Sequence, residues 1–92
     1  MIKVTYSKFA GKQLTKLPHH IKEALYLWVK TIEKIGIQEA RKLKGYHDEP
    51  LKGARSGQRS IRLNKAYRAI YEEKENESLT FISIIEVNKH DY

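Results

Sequence analysis

The chain has 92 residues, with 18 Lys and Arg against 11 Asp and Glu, a formal net charge of +7 at pH 7. That length fits a single domain over residues 1–92 and excludes a second, because so short a chain buries only roughly 60–65% of its unfolded surface. With 40% hydrophobic and 32% charged residues it is globular rather than disordered, and with no cysteine it has neither a disulfide framework nor a thiolate metal site.

The elements follow in chain order. "IKVTYS" alternates and is β-branched, which predicts a strand over residues 2–6. Ser7 is an N-cap for "KFAGKQLTKL", where Phe9, Leu14 and Leu17 recur at roughly helical spacing. Pro18 suits the first turn of a second helix that ends just before Gly36, with Ile21, Leu25, Trp28, Ile32 and Ile35 on its apolar face and Trp28 in the core. "IQEARKLKG" predicts a short third helical segment closed by Gly45. Residues 45–57, "GYHDEPLKGARSG", read as a polar loop. The period then switches to two in "QRSIRLN", "AYRAIYEE" and "SLTFISIIEVNKH", joined by turns at Asn64–Lys65 and in the acidic "EKENES". Helices first and strands later give an α+β fold, two helices packed on one face of a small, mainly antiparallel sheet.

Alternation also assigns faces. Ile61, Leu63, Tyr67, Ala69 and Tyr71 turn toward the helices, which leaves Ser60, Arg62 and Arg68 on the open face. In the last strand both alternations are apolar, and one series, Ile82 and Ile84, runs outward through Glu86 and Asn88 to His90. The expected result is a cationic surface with a histidine at its rim. Arg59 conflicts with this pattern, because it shares the parity of Ile61 and Leu63.

The positive excess points to a polyanionic partner through counterion release and steering. The longest apolar stretches, "ALYLWV" and "FISII", fall short of the ~20 residues of a membrane span, so no membrane association is expected and the chain reads as cytoplasmic. His19 and His20 are adjacent on a helix, splay about 100° apart and make a poor metal pair.

"EPLKG" (Glu49–Gly53), then "GQRSIRLNKAYRAIYE" (Gly57–Glu72) and the final "VNKHDY" resemble the RelE/ParE superfamily of bacterial toxins, most of all its YoeB- and HigB-type ribosome-dependent messenger RNA endonucleases. The likeness is densest over residues 45–92. It implies a RelE-like fold and metal-independent cleavage without a cofactor, in which the 2′-hydroxyl beside the scissile bond attacks the phosphorus. Such a reaction requires a base, an acid, cations for the phosphorane and in-line positioning. On this resemblance Glu49 is the general base, and Lys52 holds phosphate and keeps Glu49 ionised. Arg68 stabilises the phosphorane with its planar fork. His90 is the general acid and Tyr92 stacks on a base or bonds phosphate.

YoeB-like tails place His directly before Tyr, whereas Asp91 intervenes here, and Gln58–Arg59 replace a large aromatic residue after the loop glycine. His47 and Asp48 fall in the active loop as possible substrate contacts. Lys42, Lys44, Arg55, Arg59, Arg62 and Lys89 form an electrostatic collar for ribosomal RNA and message. The partners implied are a cognate antitoxin, the ribosome with its messenger RNA, and operator DNA for the toxin–antitoxin complex. Two other readings use the same scaffold: a ParE-like inhibitor of DNA gyrase, and a basic nucleic-acid-binding module without catalysis.

Overall fold

Strand β1 (Ile2–Tyr6) opens the chain in the computed structural model, which describes residues 1–89, and three helices follow it: α1 (Lys8–Leu14), α2 (His19–Ile35) and α3 (Ile37–Ala40). The chain then makes β2 (Glu49–Pro50), β3 (Gln58–Arg62), β4 (Tyr67–Asn76) and β5 (Leu79–Lys89). The sheet order is β1-β5-β4-β3-β2. β1 lies parallel to β5, and every other neighbour is antiparallel. The α+β reading holds, with the first strand paired to the last.

Local chemistry explains where the helices begin and end. The Ser7 hydroxyl accepts from the Ala10 N–H at 2.9 Å, the N-cap expected of it. Pro18 lacks an N–H but its carbonyl accepts from Ile21 and Lys22, so the ring costs α2 nothing. Gly36 breaks α2 from α3 at a φ of 86°, a conformation that side chains disfavour. Ile21, Leu25, Trp28, Val29 and Ile32 of α2 are buried against Ile61, Ala69, Tyr71, Ile82, Ile84 and Val87 of the sheet. Phe9 and Ile35 do not join this core: both remain exposed, while Ala10 is buried in their stead. Trp28 packs on Tyr71 with ring centroids 5.0 Å apart.

Four expectations differ from the structure. Ile82 and Ile84 face the helices, not the open side, because one extra residue in β5 interrupts the register between Ile70↔Glu86 and Tyr71↔Ile84. This bulge at Ile85 inverts the alternation, so Glu86 and Asn88 reach the open face after all. The acidic "EKENES" is mostly strand: β4 runs to Asn76, and only Glu77 and Ser78 turn. Residues 45–57 are not simply loop, since β2 and the 3₁₀ turn Gly53–Arg55 lie within them and a first 3₁₀ turn, Lys44–Tyr46, runs into them. Gly45 sits inside the first of these turns, beyond the end of α3.

The bulge region needs partners that strands do not supply. β1 pairs with β5 only as far as Ile84, which leaves the later backbone groups of that edge without a ladder. The Gln13 amide of α1 fills the gap, donating to the Val87 carbonyl and accepting from the Val87 N–H, each at 2.7 Å. The Ser7 hydroxyl donates to the Ile85 carbonyl. No helix among the described residues is long and apolar enough to cross a membrane.

Candidate functional site

The open face is assembled from cross-strand pairs. Glu49 of β2 stands opposite Ser60 of β3, Ser60 opposite Ile70 of β4, and Ile70 opposite Glu86 of β5. One step along β4, Arg68 lies between Arg62 and Asn88. All these residues therefore share a face, and a cleft of about 420 Å³ opens among Glu49, Leu51, Arg55, Ser60, Arg68, Ile70 and Asn88.

Arg68 is the centre of that cleft. Its Nη1 donates to Glu49 Oε1 at 3.0 Å and to Ser60 Oγ at 2.8 Å, and its side chain is 19% exposed. Ser60 is a buried polar residue at 2% exposure. Such a hydroxyl requires a partner, and here it orients the guanidinium. Ser60 was not among the residues expected at the site, and its parity with Arg62 was the available signal. Arg55 reaches over the cleft to Glu86 and to Gln58 Oε1, and Gln58 in turn bonds Glu72. The open face is thus not purely cationic: Glu49, Glu72 and Glu86 alternate with Arg55, Arg62 and Arg68. A phosphate entering the cleft would have to compete with these carboxylates for the guanidinium groups.

Arg62 is exposed opposite Arg68, and like charges facing each other across a ladder are unfavourable without an anion between them. Among the described residues Arg62 has no carboxylate within ion-pair distance. Lys52 is exposed beside the cleft without lining it, so Arg68, not Lys52, is the cation against Glu49. Lys44 lines a second hollow on the other side of Glu49, together with Lys42 and His47. His47 adopts a left-handed φ of 47°, with Nε2 3.7 Å from Glu49 Oε2. Lys89 is exposed opposite Tyr67. His90 and Tyr92 lie outside the described residues.

Two candidates sit on the wrong side of the sheet to line the cleft. Asp48 is 1% exposed and accepts from the Tyr71 hydroxyl at 2.6 Å and from Arg59 Nε at 2.7 Å. Arg59 keeps the parity of Ile61, as its position dictates, and is tolerated on the helix side because Asp48 neutralises it there. Neither one lines the open-face cleft. Burial, and next the hydrogen bond to Asp48, hold the Tyr71 hydroxyl well above its ordinary pKa of 10.0, with Arg41 pulling the other way.

A sheet with helices on one face and paired carboxylates and guanidinium groups on the other defines a small, basic α+β class. Its fold is that of the RelE/ParE toxin superfamily. Similar solved structures include the YoeB/ParE toxin from Agrobacterium tumefaciens, with a TM-score of 0.74 at 15% identity, over 97% of this chain and 99% of that one. The archaeal RelE–RelB complex from Pyrococcus horikoshii matches with a TM-score of 0.70 at 22% identity, over 96% and 93%. The toxin–antitoxin complex RelBE2 from Mycobacterium tuberculosis matches with 0.62 at 25%, over 96% of each chain. No family profile and no curated protein sequence matches the chain.

Proposed function

We propose that this chain is the toxin of a toxin–antitoxin pair and cuts messenger RNA on the ribosome. The observation that carries the reading is the Glu49–Arg68 contact of 3.0 Å at an open cleft, a carboxylate and a guanidinium side by side. In this reaction Glu49 takes the proton of the 2′-hydroxyl, and the 2′ oxygen bonds to the adjacent phosphorus. Arg68 leaves Glu49 for the phosphorane, whose negative charge it matches with two donors. The bond from phosphorus to the 5′ oxygen breaks, His90 protonates that oxygen, and the products are a cyclic phosphate and a free 5′-hydroxyl. His90 is next but one in sequence to Asn88, which stands opposite Arg68. Lys44, Lys52, Arg55, Arg62 and Lys89 hold neighbouring phosphates, and Tyr92 stacks on a base.

The partner is an antitoxin, as in the toxin–antitoxin complex RelBE2 of Mycobacterium tuberculosis. An acidic segment laid over Arg55, Arg62 and Arg68 would silence the site, and the resulting complex is the form that binds operator DNA. The protein acts where ribosomes are, in the cytoplasm. A gyrase inhibitor has no need of a carboxylate beside an arginine in an open cleft, and that pairing supports the nuclease over that alternative.

The experiment is message cleavage with purified ribosomes. Arg68→Ala and His90→Gln are expected to lose cleavage by roughly 10²–10⁴-fold while remaining folded. Both variants cutting as fast as the parent would refute the assignment, and a parent that never cuts but blocks supercoiling would establish the gyrase reading.

A further inference from the structure

Glu49 is held in place by surprisingly little backbone. β2 is two residues long at the edge of the sheet, and Pro50 has no N–H to donate. Just before it, His47 is in the left-handed region, a strained setting for a side-chain residue. The Leu51 N–H bonded to the Gln58 carbonyl at 2.8 Å fastens the far end. Against this thin attachment stands the anchorage of Asp48, the residue immediately before Glu49. Its carboxylate is the most withdrawn of those in ion pairs, and it takes one donor on each oxygen, from Tyr71 and Arg59. Arg41 Nε donates to the same Tyr71 oxygen at 3.3 Å and pairs with Glu73, so the cluster continues into the segment after α3.

We propose that Asp48 and Tyr71 are positioning residues, a clamp on the covered face of the sheet that fixes the direction of the Glu49 carboxylate on the open face. The physical basis is the pleat. Successive side chains of extended backbone point to opposite faces, so pinning Asp48 inward aims Glu49 outward. Tyr71 belongs to the same strand as Arg68, so β4 holds the partner of Glu49 on one side and the anchor of Asp48 on the other. The separation of the two groups across the cleft is thereby set by one rigid strand. This inference rests on the reading of Glu49 as the base of an RNA-cleaving site.

The test uses Asp48→Asn and Tyr71→Phe in the full chain. Tyr71→Phe keeps the ring against Trp28 and removes only the hydroxyl. Each is expected to lower the cleavage rate at saturating message-loaded ribosomes by roughly 10- to 100-fold, with the apparent KM changed less than about twofold. In a Glu49→Gln background neither should lower the residual rate further, because the group they aim is already gone. A role confined to stability would reduce the rate by the same factor in both backgrounds, and that outcome overturns the proposal. A second readout does not depend on activity. Amide exchange at Leu51 is expected to quicken by about tenfold or more in Tyr71→Phe while β4 and β5 keep their protection, and unchanged exchange at Leu51 also overturns the clamp. A parent protein that cuts no RNA would sink the nuclease reading instead, and the exchange result would then decide the clamp alone.

Discussion

Arg59 and Arg62 stand on one strand with the same charge, yet one is committed to the covered face and the other to solvent. Strand parity forecasts this for Arg62, Ser60 and Arg68, whose open-face placement was legible in the alternation of "QRSIRLN" and "AYRAIYEE". It also exposes Arg59 as an anomaly without resolving it. The resolution, Asp48, was not legible: it precedes a two-residue strand with no period to read, and its partners are 11 and 23 residues away in sequence. Tyr71 gives this cluster a measurable pH signature. Its hydroxyl is protonated in the folded chain beyond the ordinary value of 10.0, whereas the unfolded chain loses that proton near it. The associated stability is therefore fully present below about pH 10 and is lost as pH rises through the higher folded value. Urea unfolding midpoints should fall above about pH 10 in the parent and fall less steeply in Tyr71→Phe. Equal slopes in the two proteins would show that Tyr71 does not titrate differently on folding.

Helix α2 and the β3–β4–β5 meander were readable because each repeats its period over many residues. The bulge in β5 was not, since a single extra residue leaves the composition of "FISIIEVN" unchanged while reversing which side chains meet the helices. The same irregularity explains Gln13, a polar residue whose side chain completes the free edge of β5 where β1 has ended. Its amide has the donor and acceptor of a peptide unit, which a strand neighbour would otherwise provide. Gln13→Ala strands both backbone groups of Val87 in a partly buried setting. The expected loss is about 1–3 kcal/mol in denaturant unfolding, large for a surface helix position. A stability within about 0.5 kcal/mol of the parent would mean that water replaces the amide without cost.

The net charge of +7 belongs to the chain as a unit, but its two sheet faces do not share it in the same way. On the covered side Arg41 and Arg59 are matched by Glu73 and Asp48; on the open side Arg62 stands opposite Arg68 among the described residues without a carboxylate of its own. Binding of a single-stranded polyanion depends on salt through the counterions that unmatched cations release, by about 0.7 in the logarithmic slope per phosphate neutralised. An internally paired arginine releases none on binding. With an RNA oligonucleotide made uncleavable by 2′-O-methyl groups, Arg62→Gln should therefore reduce the slope of log affinity against log salt by about 0.7. Arg59→Gln, checked to be folded, should leave that slope unchanged even if it lowers stability. The residue types and charge changes are identical, so only the face on which each stands separates the two results. Equal reductions would mean that Arg59 contacts the nucleic acid and that the covered face is not what determines its role.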